Sequence, residues 1–175
     1  MRGSYRVGEV AERFSCGAGP AGWRYTSTTE LGDSLDLMVD DDGRVRRLVA
    51  VLDGWEVRGG AVGEELLWVR GETEHRAPAA GFTGSSPAYE VAVARRLGLD
   101  VGASSRVALV ELTEPVGAAR TVQQSWTRTA GPEPDVDRYE VADLATGERW
   151  VLHLAGEVLV SREGRSPAVL AELVL

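Results

Sequence analysis

The chain contains no lysine, isoleucine or asparagine, so all 19 of its basic residues are arginine. Those three amino acids have AT-rich codons. Their absence points to a high-GC, bacterial genome and makes arginine usage a matter of mutational bias before one of function. A single cysteine, Cys16, excludes an internal disulfide and suits a reducing cytoplasm. No apolar run approaches a membrane span, and residues 1–14 lack the apolar stretch of a secretory signal. Stable membrane insertion is therefore not expected, and a cytoplasmic location is the default. Basic excess is also missing. A net charge of −8 argues against nucleic acid or an anionic membrane surface as the main partner. Nucleophile-elbow, zinc-ligand and dinucleotide spacings are absent, so neither a metal nor a cofactor is expected.

What is present reads mainly as β-structure. At 175 residues, 43% of them hydrophobic, the chain is long enough to bury a full core as one domain. Residues 1–20 are weakly patterned; Val7, Val10 and Phe14 suit a short helical turn or a tail. Residues 21–165 carry the sheet. Leu35, Leu37 and Val39 alternate with Asp36 and Met38, as in a half-buried strand. Asp42-Gly43 and Asp53-Gly54 supply the positive φ that tight hairpins need. The acidic run at residues 40–42 lacks the bidentate glutamate of a calcium loop, so it reads as a turn. Gly59-Gly60 lies between strand-like segments and reads as a bend rather than a phosphate cradle. Residues 71–84 form a long polar connection and a lid candidate, in which Glu72, Glu74 and His75 suit a solvated loop better than a metal site. Residues 166–175 close the chain as a strand or a short helix.

One stretch breaks the β pattern. Ser85 or Ser86 can cap a helix, Pro87 fits its first turn, and Gly98 is a natural left-handed stop behind Arg95 and Arg96. Tyr89, Val93 and Leu97 share one helical face, although Tyr89, Val91 and Val93 also alternate as a strand would. The helix, over about residues 86–97, is the preferred reading. The expected fold is β-rich α+β: an antiparallel, strongly curled half-barrel or barrel of about 10–12 strands, covered or plugged by that helix.

A barrel of that size leaves room for one small ligand. Five tryptophans against two phenylalanines suit walls that are apolar but able to accept an indole N–H bond. Each indole alone reads first as a core filler; of the set, two or more of Trp55, Trp68, Trp126 and Trp150 are expected to line a cavity. Tyr89 joins them from the helix. Gln124, Trp126 and Arg128 share one face of a polar strand, with Tyr139 on a neighbouring one. Glu111 is an acid on an apolar strand, either a rim residue or a cavity carboxylate. Arg96 falls within the helix's apolar stripe, so it either snorkels to solvent or meets an anionic or polyhydroxyl ligand or Glu111.

Ser86-Pro87-Ala88, Arg95-Arg96-Leu97-Gly98-Leu99, the strand over residues 107–112, Trp126-Thr127-Arg128 and Arg138-Tyr139-Glu140 together resemble a bacterial family described as glycolipid-binding. The similarity lies in order and spacing over residues 23–162. The chain departs from that pattern at Glu90-Val91, Val93 and Trp126. The resemblance implies a curled sheet around a cavity, likened to lipoprotein-carrier folds, and brings no catalytic residues with it.

Two functions follow as expectations. The first is non-enzymatic binding of an amphipathic small molecule, such as a glycolipid, in an elongated and largely apolar cavity. The alternative is a cofactor-free cyclase or isomerase using the same cavity, with Glu111, Tyr139 and His153 as its candidate acids and bases. Homodimerisation through an edge strand is compatible with either.

Overall fold

The computed structural model describes residues 1–174. Its strands are β1 (Arg2–Val7), β2 (Val10–Gly19), β3 (Gly22–Thr29), β4 (Ser34–Val39), β5 (Val45–Leu52), β6 (Trp55–Val62), β7 (Glu65–Arg70), β8 (Thr73–Ala77) and β9 (Gly81–Thr83). The helix α1 (Pro87–Leu97) follows, and then β10 (Ser104–Thr113), β11 (Ala118–Thr129), β12 (Asp137–Asp143), β13 (Arg149–Ala155), β14 (Val158–Glu163) and β15 (Ala168–Val174). All fifteen strands belong to one sheet, ordered β8-β7-β6-β5-β4-β3-β2-β1-β15-β14-β13-β12-β11-β10-β9. Every pairing is antiparallel except the parallel one of β9 with β10.

The chain ends meet in the middle of the sheet, where β1 pairs with β15. The edges, β8 and β9, are consecutive in the chain and joined by residues 78–80, so the sheet bends back upon itself without closing. The curl brings the Phe82 ring of β9 against β6, where a Cβ on Gly59 would lie 3.0 Å from it. Gly59 lies within β6, whose pairing with β5 and β7 runs through it without a register shift, so its role is close approach rather than the bend its sequence context suggested.

The helix forms as its caps predict. Ser86 is extended (φ −65°, ψ 134°) and its hydroxyl accepts from Ala88 N; Gly98 is left-handed at φ 51°, with its N–H on Ala94 O. Every residue from Pro87 to Ala94 is buried, so this is not a cover with one apolar face. It lies inside the curl, and Ala88, Ala92 and Ala94 let strands approach on several sides. The elongated apolar cavity expected from the sequence is therefore occupied. Between Tyr89, Val93, Phe82 and Leu109 the remaining hollow is about 10 Å³, less than one water needs.

Three further expectations are corrected. Residues 1–20 are neither helical nor a tail: they form β1 and β2, near the centre of the sheet. Their inward positions are Tyr5, Glu12, Phe14 and Cys16, and an acid among inward side chains hides the period-two signal. Tyr5 stacks on Phe14 at 4.5 Å and Phe14 on Tyr25 at 5.4 Å, one aromatic ladder across three strands. Residues 71–84 are not a lid, because they contain both sheet edges; β8 is exposed at all but Ala77 and so shows no alternation. The strand total is fifteen rather than the smaller number expected. The terminal segment is the strand β15, and Leu175 lies outside the described residues. Among the described residues no helix is long and apolar enough to cross a membrane.

Candidate functional site

Within the curl, open space lies at the ends rather than along the axis. At the end where α1 begins, a cleft of about 200 Å³ is walled by α1, the last residues of β10, β11, β13 and the β14–β15 turn. Its floor is ionic. Antiparallel register sets Glu111 of β10 directly opposite Arg120 of β11, and their side chains meet at 2.5 Å. Arg165 holds the other Glu111 carboxylate oxygen from the β14–β15 turn, and its guanidinium also sits over the Trp150 ring at 5.4 Å. Glu111 itself is only 3% exposed.

Behind it, α1 delivers Glu90 to Arg162 of β14 at 3.0 Å, both groups buried. Arg162 spends two further donors on the carbonyls of Ser166 (2.7 Å) and Ser85 (3.0 Å). Burial pushes the Glu90 carboxyl above its ordinary value, against the opposing pull of Arg162, Arg165 and the nearby Trp150 indole. Neither Glu90 Oε2 nor Trp150 Nε1 completes a hydrogen bond. The two thus stand close together in the wall of one cleft, the indole near enough to act on the carboxyl but outside good hydrogen-bond geometry.

A second crevice, about 40 Å³, shares Gly84, Ser85, Leu112 and Glu114 with the first and is lined further by Leu35, Ala50, Leu52 and Tyr89. Glu12 closes its inner end. This carboxylate accepts from Ser86 Oγ at 2.7 Å and from the Tyr25 hydroxyl at 3.2 Å, so the helix cap is tied to β2 and β3. Burial raises its pKa above 4.5 despite the Ser86, Ser27 and Tyr25 hydroxyls and the Arg162 charge. The folded state therefore keeps the Glu12 proton to higher pH than the unfolded chain, and stability falls as pH rises from about 4.5 through the folded value. Glu12→Gln is expected to flatten that part of the profile, read as denaturation midpoints from pH 4 to pH 8. An unchanged slope assigns the titration elsewhere.

Of the residues proposed from sequence, Glu111 and Trp150 line the ionic cleft, and Tyr89 stands in the wall between the crevice and the filled interior. Trp126 donates to Gln124 Oε1 at 2.9 Å and packs edge-on against Tyr139, three neighbours in the core of β11 and β12. Arg128 binds the Leu99 carbonyl at 2.7 Å and Asp137 at 2.5 Å, pinning the connector after α1. Trp68 stacks on His75 and meets Phe82 edge-on. Trp55 is 45% exposed at the start of β6, at the rim of the curl, under the Arg70 guanidinium at 4.1 Å. His153 contacts Ser161 at 3.0 Å.

Arg96 takes the snorkelling alternative and is exposed, whereas Arg95 turns back to pair with Glu157 at 3.2 Å. Glu12, Glu90, Arg120, Arg162 and Arg165 were not singled out from sequence. Only the Glu111 and Arg120 pair had a local signal, since the two lie at equal distances from the centre of the turn, between residues 115 and 116. Among the described residues no cluster of three or more His, Cys, Asp or Glu side chains could hold a metal ion.

One open, curled antiparallel sheet wrapped round a buried helix, with a charged cleft at its mouth, is the class of protein these features define. The same fold occurs in the solved structure of a DUF1089 family protein from Pseudomonas aeruginosa, with a TM-score of 0.61 and 18% identity over 85% of this chain and 87% of that one. No family model matches the sequence, and no curated protein does.

Proposed function

We propose that the protein binds a small amphipathic molecule, without turning it over, at the mouth where α1 begins. One observation carries this reading: a charged cleft and a crevice with an apolar wall share one partition, residues 84–85 with Leu112 and Glu114. A polar head placed against Glu111, Arg165 and Trp150 leaves its apolar portion at Leu52, Leu112 and Tyr89. A hydroxyl is the group that suits the floor of the cleft, because it can donate to the Glu111 carboxylate and accept from the Arg120 and Arg165 guanidiniums that line it. A glycolipid combines such hydroxyls with an alkyl portion, in keeping with the family resemblance of the sequence. The crevice is small, so it seats only the first carbons of that portion and the remainder lies along the rim.

Native mass spectrometry of the chain purified from its own host is the test. The expected spectrum shows the 18.8 kDa chain carrying a retained compound, lost when Glu111→Gln and Trp150→Phe are combined. A bare chain that also fails to take up glycolipids added in detergent overturns the reading. Glu90 favours a second one, since a buried carboxyl with a raised pKa at a ligand cleft is equipped as a general acid. Turnover of the retained compound, abolished by Glu90→Gln, would convert the binding site into the active site of a cofactor-free enzyme.

A further inference from the structure

The opposite end of the curl holds a different chemistry. Beside the link between the edge strands β8 and β9, a hollow of about 300 Å³ opens between residues 78–80, the β6–β7 turn, Arg44 just ahead of β5, the end of α1 and the start of β10. Arg44, Arg96 and Arg106 all line it. None of the three forms an ion pair with a described residue, although acids are abundant in this chain. The arginines that follow Arg44 on β5 show the contrast: Arg46 pairs with Asp40 at 3.1 Å and Arg47 with Asp36 at 3.4 Å, both on the outer face.

Two backbone contacts hold these arginines together. Gly43 packs so closely on α1 that a Cβ there would lie 2.4 Å from Arg96 N, which fixes Arg44 beside the last turn of the helix. Ala80 N–H donates to Ala108 O at 2.9 Å and ties the seam to the strand that carries Arg106. The helix dipole accounts for a cation at Arg96, but it gives no reason for Arg44 or Arg106. Glu64 and Glu65 stand on the β6–β7 side of the hollow, and Glu65 lies 4.0 Å from Arg76 on β8.

We infer that this hollow is a binding site for a phosphate-class oxyanion, held by the guanidinium groups of Arg44, Arg96 and Arg106. Planar guanidinium donors match phosphate oxygens in pairs, and three of them outweigh the two carboxylates beside them. Glu64, free of an ion pair among the described residues, is positioned to accept from a hydroxyl on the same ligand. The site is separate from the Glu111 cleft: Arg106 opens β10, and Glu111 is near its far end. Its fate is therefore independent of the function proposed above.

The test is a titration of the full chain, at constant ionic strength, followed by NMR of backbone amides and arginine Nε–H groups. The probes are inorganic phosphate, glycerol 3-phosphate and vesicles containing phosphatidic acid, with chloride as control. Phosphate is expected to shift Arg44, Arg96 and Arg106 saturably, in the millimolar range. Arg96→Gln and Arg106→Gln, both at exposed positions, should each weaken binding about tenfold, and Arg46→Gln should leave it unchanged. Tighter binding of glycerol 3-phosphate identifies a soluble phosphate ester as the ligand class, whereas co-sedimentation with vesicles identifies a lipid head. Absence of saturable shifts, shifts that survive in the Arg96→Gln, Arg106→Gln double variant, or shifts centred on Arg120 and Arg165 would each overturn the inference.

Discussion

Arg162→Met is expected to lower the unfolding free energy by about 3–5 kcal/mol, the range for removing one partner of a buried ion pair. Arg162 is 4% exposed and serves Glu90, Ser166 O and Ser85 O at once. Its loss leaves a buried carboxylate whose second oxygen already lacks a partner. For a chain of this size each kcal/mol moves Tm by about 2–4 °C, so the melt should fall by roughly 6–20 °C. The destabilisation should depend on pH in a defined direction. Without Arg162 the Glu90 pKa rises further above its unfolded value, so the loss is greatest at neutral pH and shrinks as Glu90 takes up a proton on acidification. Combining Arg162→Met with Glu90→Gln removes both charges and should recover most of the stability. Arg165→Met provides the contrast, because Glu111 keeps Arg120 and the Arg165 side chain is 29% exposed; about 1 kcal/mol is expected. Guanidinium unfolding of the three variants at pH 5 and pH 8 checks the pattern, and an Arg162→Met loss below about 1 kcal/mol contradicts it.

Those same residues mark where sequence reasoning stops. The helix was legible because its signals are local: a capping serine, a proline in the first turn and a terminal glycine need no knowledge of the rest of the chain. The curled antiparallel sheet was legible for the same reason, hairpin by hairpin. Burial of the helix on all sides was not. A face-based reading put Arg96 within an apolar stripe, yet burial along α1 is set by depth in the curl: residues 87–94 are enclosed and the last turn emerges. Glu90, not singled out from sequence, is the helix's buried charge, and its partner lies on β14 with no sequence mark to connect them. Glu12 hid β2 in the same way, since an inward acid makes sense only once Ser86 and Tyr25 arrive from distant segments. Indoles divide for a different reason. Trp55 and Trp126 are chemically alike, and only their position on the sheet leaves one under an arginine in solvent and the other in the core.

The two Asp-Gly turns allow the strongest test of this packing. Asp42-Gly43 and Asp53-Gly54 look alike in sequence, and both glycines are left-handed, at φ 72° and φ 77°. An alanine at either position meets the same backbone penalty, about 1–2 kcal/mol for an L-residue in that region. Their surroundings differ. A Cβ on Gly54 has nothing within 4 Å, whereas one on Gly43 would lie 2.4 Å from Arg96 N and 2.6 Å from its Cα. Backbone cannot swing aside as a flexible side chain can, so Gly43→Ala forces the β4–β5 turn and the end of α1 apart, adding about 1–3 kcal/mol of overpacking. Gly54→Ala should therefore cost about 1–2 kcal/mol and Gly43→Ala about 2–5 kcal/mol. Only the second should raise hydrogen exchange at the amides of Arg96, Leu97 and Gly98, because only it loosens the last helical turn. Equal losses in the two variants, with helix protection unchanged, would mean that α1 is held by its caps and its own burial, and that the turn merely passes over it.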